Sequence, residues 1–341
     1  MNFAIDLGTT KTIICSARGG LLLEEPSVIA WRRAAGARDS LFAVGTAAHA
    51  LIGRVSADYH IIRPMQDGVI ADFEATQAML GEFIRRAIRA RLPLRRTILI
   101  SAPVGATVVE SRAIAEAAER VIKCTAIVFP EPLAAAIGAG LPVWEPRGQM
   151  VIDIGGGSAD IALISLGGIV RHKSLCYAGA RLYEEIGTFI RRKYALILCE
   201  TMVEKLKREC GNALPPGPEE PQELAVIGQD QVSGVPREVV LPASDVREAV
   251  SGFLVELAEA TRDVLAESPP ELVADVLQNG VVLAGGGACL RNLDRFLAGQ
   301  LNVSVRVAAD PTRCVARGGV AMLGHVRGSE LRIAAPLSAS A

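Results

Sequence analysis

The chain has 341 residues, half of them hydrophobic, with 36 basic against 37 acidic side chains and a formal net charge of −1. That length is more than one compact core usually organises, so two lobes are expected, and the lack of a basic excess argues against a general nucleic-acid binder. Cysteines at positions 15, 124, 176, 199, 210, 289 and 314 form no C-x-x-C, and the histidines are equally scattered, which argues against a zinc site or a disulfide framework and makes a reducing cytoplasm the expected compartment.

In chain order, the opening M-N-F-A-I-D-L runs straight into a strand with no basic region before it, so no signal peptide is expected. Phe3–Ala17 (F-A-I-D-L-G-T-T-K-T-I-I-C-S-A) reads as an apolar strand, an acid, a glycine with hydroxyl residues, and a second β-rich run. Leu21–Leu23 and Ser27–Trp31 follow as strands separated by Glu24-Glu25-Pro26, and polar Arg32–Leu41 is expected as a surface loop. Ala43–Gly53 suits a short helix in a small inserted lobe. Thr76–Arg91 sets Ala78, Met79, Phe83, Ile84, Ala87 and Ile88 at helical spacing. Thr97–Ser101 and Ile127–Phe129 are strands, while Glu110–Val121 and Leu133–Ala139 are helices. Ala126–Trp144 is nearly long enough to span a membrane, but Pro130, Pro132 and Pro142 interrupt it, so it is read as a buried loop and helix.

The second half starts again at Gln149–Ser165 (Q-M-V-I-D-I-G-G-G-S-A-D-I-A-L-I-S), another strand, glycine turn and returning strand. Gly168–Ser174 continues it as a strand, and Ala180–Tyr194 and Thr201–Cys210 read as helices. Gly211–Gln222 is rich in proline and glycine and is expected as an exposed loop. Strands at Leu224–Ile227 and Glu238–Leu241 precede a long helix starting at Ser244-Asp245. Then come a strand at Gly280–Ala284, a turn at Gly285–Gly287, a helix at Leu290–Leu297, a strand at Val303–Val307 and a closing helix at Cys314–Leu323. Ala334–Ala341 is expected to end the chain loosely.

The two glycine hairpins match position by position. Asp6 corresponds to Asp153 and Gly8 to Gly155, while Thr9 and Thr10 stand near Gly156 and Gly157. Backbone N–H groups in such turns can face phosphate oxygens, and the acids can hold a magnesium shell or activate a water. A duplicated domain closing on one nucleotide from both sides is the natural reading. Glu131 lies in an apolar, proline-bounded stretch, where an unpaired carboxylate is costly. It either positions a water at the γ-phosphate or caps the helix that starts at Pro132. Val281–Leu290 (V-V-L-A-G-G-G-A-C-L) is a third glycine junction whose backbone could accept an adenine, and Glu204 and Lys207 share one helix face from which they could reach a ribose.

Together D-L-G-T-T, P-E-P-L-A-A-A-I-G-A-G-L-P, D-I-G-G-G-S-A-D and L-A-G-G-G-A-C-L resemble the actin/heat-shock-chaperone/sugar-kinase ATPase superfamily. Ile62–Phe73 (I-R-P-M-Q-D-G-V-I-A-D-F), Ala134–Pro142, Ile164–Val170 and Pro311–Gly318 are most similar to its MreB branch, over Asn2 to about Gly324. The resemblance implies an α/β, duplicated actin-like (ribonuclease-H-like) fold in two lobes, each with a core and a smaller inserted subdomain. By position, the first core would take 1–31, 62–140 and 311–330, with 32–61 as its insertion. The second would take 141–177 and 242–310, with 178–241 as its insertion, and 331–341 would be a tail.

The resemblance also implies roles. Asp6 and Asp153 would hold Mg2+ through water, and Gly8, Thr9, Thr10, Gly155, Gly156, Gly157 and Ser158 would cradle the phosphates of ATP. Glu131, Asp153 and Ser158 would be catalytic, with Glu131 and Ser158 orienting the hydrolytic water. Glu204, Lys207, Gly285, Gly286, Gly287 and Ala288 would line the nucleoside end. Lys11 replaces a small polar residue and could add a phosphate contact. The usual G-G-G-T-T-E is G-G-G-S-A-D here, the usual E-E-P is P-E-P, and the usual G-G-D-x-M-D is A-G-A-R-L-Y at Ala178–Tyr183. Those departures bear on hydrolysis rate and lobe closure.

Members of the branch form homopolymer filaments on the inner face of the cytoplasmic membrane and work with cell-wall elongation proteins. Arg85–Arg96 (R-R-A-I-R-A-R-L-P-L-R-R) surrounds Leu92 and Leu94 with arginines, which suits insertion into an anionic leaflet. The alternatives are an actin-like adaptor that binds ATP without turnover or polymer, and a soluble kinase of the superfamily.

Overall fold

The computed structural model describes residues 2–331 apart from 19, 34–38, 89–96, 122–123, 216 and 328–329. The chain opens with an antiparallel meander of β1 (Phe3–Leu7), β2 (Lys11–Ser16) and β3 (Leu21–Pro26). Next come β4 (Ile29–Arg32), β5 (Ser40–Val44), a one-turn helix α1 (Thr46–His49) and β6 (Tyr59–Ile62), with β4 central in a small three-stranded sheet. A tight hairpin of β7 (Met65–Gln66) and β8 (Val69–Ile70) leads to α2 (Phe73–Ala87), whose N-cap Asp72 accepts the Ala75 N–H at 2.9 Å. Then β9 (Thr97–Ala102), α3 (Val108–Val121), β10 (Thr125–Pro130) and α4 (Glu131–Gly138) complete the first half.

The second half repeats this plan. β11 (Gln149–Ile154), β12 (Ala159–Ser165) and β13 (Gly168–Leu175) form the second meander. After α5 (Gly179–Tyr194), β14 (Leu196–Ile197), α6 (Glu200–Cys210), β15 (Glu223–Asp230) and β16 (Pro236–Pro242), the strands β14, β15 and β16 make another small sheet. α7 (Ala243–Ala266), α8 (Pro270–Asn279), β17 (Val281–Ala284), α9 (Leu293–Leu301), β18 (Val305–Val307) and α10 (Cys314–Met322) follow. The large sheets have strand orders β10-β9-β1-β2-β3 and β18-β17-β11-β12-β13, the same topology twice. In each, the first strand of the meander pairs in parallel with a later strand. The duplication expected from two matching hairpins is therefore visible as repeated topology.

The packing explains the order. Fully buried Met150, Ile152, Ile161 and Leu163 meet α5 and α7 on one face of the second sheet, through Leu182, Ile186, Val250 and Leu257. Phe3, Ile5, Ile14, Ile98 and Ile100 meet α2 and α3 through Met79, Phe83, Ile114 and Ala117 in the first. Alanine-rich α4 packs against α10 between the two sheets, where Ala4, Leu99, Ala134, Val151, Val282 and Val315 share one cluster. Ala126–Trp144 is thus β10 and α4, and among the described residues no helix is long and apolar enough to cross a membrane.

Several boundaries depart from expectation. Glu24-Glu25-Pro26 does not separate strands but finishes β3, because Glu24 and Glu25 find ionic partners along it. The expected loop Arg32–Leu41 runs into β5, and positions 34–38 lie outside the described residues. The start of the expected exposed loop Gly211–Gln222 is buried: Asn212 is 2% exposed, donates to Glu220 Oε2 at 2.6 Å and accepts from Asn292 Nδ2 at 2.9 Å. The tail Ala334–Ala341 lies outside the described residues.

Candidate functional site

The site follows from strand direction. β1, β9 and β10 are parallel, so their carboxyl ends lie along one edge of the first sheet, the edge where open α/β sheets take ligands. Asp6, Ser101 and Glu131 are the residues at that edge. Ser101 Oγ is 3.2 Å from Asp6 Oδ1 and 3.2 Å from Glu131 Oε1, and it accepts the Leu7 N–H at 3.2 Å. A hydroxyl has one hydrogen to give, so both carboxyl contacts can be satisfied only if one of the acids is protonated. Burial pushes Asp6 up to about 6, against the opposing pull of Ser101 and Lys11. Burial pushes Glu131 well above the ordinary carboxylate value, reinforced by the charges of Asp6, Asp160 and Asp153. Ser101 Oγ thus bridges two buried carboxyls whose pKa values are both raised.

The second sheet supplies the facing half. β11 pairs in parallel with β17, and Asp153 stands opposite Asp160 in the β11–β12 register. Asp153 is 4% exposed, and burial followed by the charges of Asp6 and Asp160 raises its pKa well above normal. Among the described residues its Oδ1 has no hydrogen-bond partner. Gly155 N–H donates to Ser158 O at 2.8 Å and closes the glycine turn. Ser158 Oγ donates to Asp160 Oδ2 at 3.0 Å.

The two glycine hairpins touch each other. A Cβ on Gly156 would lie 1.8 Å from Thr10 Oγ1 and 2.8 Å from Thr10 Cβ, and one on Gly157 would lie 2.3 Å from Thr9 Oγ1. Only glycine permits that approach. The Gly68 N–H, from the β7–β8 turn, donates to Thr9 Oγ1 at 2.9 Å. The N-terminus of α5 leans on the second loop through its backbone: Gly179 N–H reaches Gly155 O at 3.2 Å and Ala180 N–H reaches Gly156 O at 2.7 Å. That contact survives the missing acids of A-G-A-R-L-Y.

The other expected positions are distributed as follows. Gly8 N–H donates to Lys11 O at 3.1 Å, which turns the first loop. Lys11 Nζ bonds Glu24 Oε1 at 2.7 Å, and Arg313 holds Glu24 Oε2 at 2.7 Å, so the Lys11 head is engaged by β3. Gly285 has φ 79° and its N–H meets Pro311 O at 2.8 Å. A Cβ on Gly286 would meet open space, one on Gly287 would strike Ile154, and Ala288 is buried. Glu204 and Lys207 pair with each other at 3.1 Å on α6. Leu92 and Leu94 lie outside the described residues.

Sequence reasoning did not identify Ser101, the Ser158–Asp160 bond, or the ion pair of Arg63 with Glu200, which joins β6 to the start of α6 with His49 Nε2 at 4.0 Å from the same oxygen. Among the described residues no three acidic, histidine or cysteine side chains converge to ligate one metal directly. The residues nevertheless fit a hydrated divalent cation. Buried acids with raised pKa values and the unpartnered Asp153 Oδ1 are the kind of donors such an ion's water shell satisfies.

Comparison with known proteins adds a second line. A family model described as MreB/Mbl protein matches residues 1–330. The chain is 44% identical over 321 residues to the cell shape-determining protein MreB of Escherichia coli K12, covering 93% of this chain and 92% of that one. It is 41% identical over 325 residues to the cell shape-determining protein Mbl of Bacillus subtilis 168, covering 95% and 96%. MreB5 of Spiroplasma citri bound to AMPPNP superimposes with TM-score 0.87 at 30% identity, over 93% of this chain and 94% of that one. A MamK double helical filament shares the fold at TM-score 0.80 and 22% identity, over 96% and 100%.

Proposed function

This chain belongs to the MreB/Mbl family, and from that premise we propose an actin homologue that binds ATP and Mg2+ between its lobes and polymerises when they close. Its filaments would lie on the inner face of the cytoplasmic membrane and direct cell-wall elongation proteins, and so cell shape. The observation that carries the reading is the interlocked pair of glycine hairpins, Gly156 on Thr10 and Gly157 on Thr9, with Asp6, Glu131, Asp153 and Asp160 gathered beside them.

Gly8–Thr10 and Gly155–Ser158 would bind the phosphates from opposite sides, with their N–H groups as donors. Asp6 and Asp153 would hold the cation's water shell, and when bound the cation supplies positive charge that offsets the crowded acids and polarises the phosphates. Glu131, kept ionised by that charge, would accept a hydrogen from the attacking water. Gly285–Gly287 would back the adenine. Lys11 would reach phosphate only by leaving Glu24, and Glu204 and Lys207 would reach the ribose only by leaving each other. The separate small sheets of β4–β6 and β14–β16 favour the four-part division expected from sequence. A titration with a fluorescent ATP analogue, with and without Mg2+, tests the binding step; saturable Mg2+-dependent binding is expected, and its absence would overturn the reading.

For the membrane, Leu92 and Leu94 beside the arginines remain the proposed anchor. Leu92→Ser with Leu94→Ser should abolish co-sedimentation with anionic liposomes while leaving ATP binding intact. Unchanged pelleting would remove this segment from the account.

A further inference from the structure

We propose that Asp160 is a positioning residue for hydrolysis: it holds the Ser158 hydroxyl hydrogen, so that the Ser158 oxygen can only accept a hydrogen bond from the attacking water. The proposal rests on the ATPase reading above and assigns a role to the acid that departs from the family's usual G-G-G-T-T-E.

Ser158 and Asp160 are two apart and share a face, while Ala159 between them is fully buried in the core of the second lobe. The hydroxyl that this chain lacks at position 159 therefore does not belong to the cleft. Ser158 is 5% exposed and its backbone is fixed by the Gly155 N–H. Its Oγ–H points to Asp160 Oδ2 at 3.0 Å. Asp160 is itself 1% exposed, stands opposite Ser174 of β13, and is flanked by the Val104 backbone of the other lobe. Burial between β12, β13 and the Val104 backbone leaves the carboxylate little room to turn away, with Oδ2 taking the Ser158 hydroxyl and Oδ1, among the described residues, without a hydrogen-bond partner.

A hydroxyl has one hydrogen and two lone pairs. With the hydrogen committed to Asp160, only lone pairs remain for the cleft. A water that donates one hydrogen to Ser158 and the other to Glu131 keeps a lone pair for the γ-phosphorus. The water oxygen then bonds to phosphorus, and the bond to the β,γ-bridging oxygen breaks with its electron pair left on ADP. The water's proton leaves through Glu131 to inorganic phosphate. Without Asp160 the Ser158 hydroxyl can turn and donate, and the water loses one of its two acceptors.

The test measures ATP affinity and phosphate release for wild type, Asp160→Ala, Asp160→Asn, Ser158→Ala and the Ser158→Ala/Asp160→Ala double variant, each checked by thermal melting. Asp160→Ala should lower kcat by roughly 10- to 100-fold, the worth of one hydrogen bond to a charged group, and leave ATP affinity within about twofold. Asp160→Asn, whose amide oxygen still accepts from Ser158, should retain most of kcat. In the Ser158→Ala background, Asp160→Ala should add no further loss. Independent, multiplying losses in the double variant, or an Asn variant as slow as the Ala variant, would overturn the proposal while leaving the ATPase reading intact. A folded wild type that releases no phosphate from bound ATP would overturn the ATPase reading itself, and the proposal with it.

Discussion

Replacing Gly156 by alanine isolates the contact between the two lobes. The glycine's φ is not in the left-handed region, so alanine can adopt its backbone and only the approach to Thr10 is at stake. The new Cβ would lie 1.8 Å from Thr10 Oγ1, 2.8 Å from Thr10 Cβ and 3.1 Å from Thr10 N. Rotation of Thr10 removes the first clash, costing about 0.5–1.5 kcal/mol if it ends off-rotamer. The Cβ–Cβ clash remains, and relieving it parts the loops by roughly 0.7–1.2 Å to reach ordinary carbon contact. Overpacking of this size costs about 1–3 kcal/mol, and on the proposed closure of the lobes only the closed shape bears it. ATP affinity should therefore fall roughly 5- to 150-fold, read by equilibrium titration with a fluorescent analogue. Gly299→Ala is the control: it sits on the exposed face of α9 with nothing near its Cβ, and should gain about 0.5–1 kcal/mol of stability without changing affinity. A folded Gly156→Ala protein that binds ATP within twofold of wild type would refute closure through this contact.

Three further outcomes are expected. Glu131→Gln should bind ATP normally and lose about 10²- to 10⁴-fold in phosphate release, measured by single-turnover kinetics. Asp6 has its pKa lifted by burial from 3.8 to about 6, so between those values the folded chain binds more protons than the unfolded one and Asp6 destabilises the nucleotide-free protein as pH rises through that window. The melting temperature of Asp6→Asn should exceed wild type at pH 7.5, and the gap should close near pH 4. Arg63→Glu should speed nucleotide release several-fold, in line with about 0.2–1 kcal/mol for a partly exposed pair plus the new repulsion at Glu200. Adding Glu200→Arg should restore the rate, as followed by stopped-flow displacement.

The parts of the molecule that repeat were legible in the sequence. Apolar strands ending in Asp6 and Asp153, followed by glycines, fix both hairpins locally, and the duplicated sheet topology follows from them. Features set by distant partners were not. α8 escaped notice because Pro269-Pro270 reads as a break, whereas Pro270 opens the helix. Asn212 lies in a stretch whose composition suggests solvent, yet Glu220 and Asn292 draw it inside. Ser101 looks like an ordinary strand end; only the order β10-β9-β1 places it between Asp6 and Glu131. A hydroxyl at the carboxyl end of a central parallel strand was the available signal. The Arg63–Glu200 pair spans 137 positions, beyond any local pattern.

On the proposed reading, ATP bound between the lobes drives assembly on lipid. High-speed pelleting with electron microscopy, on anionic liposomes with ATP, ADP or no nucleotide, tests it most directly. Membrane-bound filaments are expected with ATP and few or none without nucleotide. Confirmed ATP binding with no polymer at high protein concentration would contradict it and favour an actin-like adaptor that binds nucleotide without assembling.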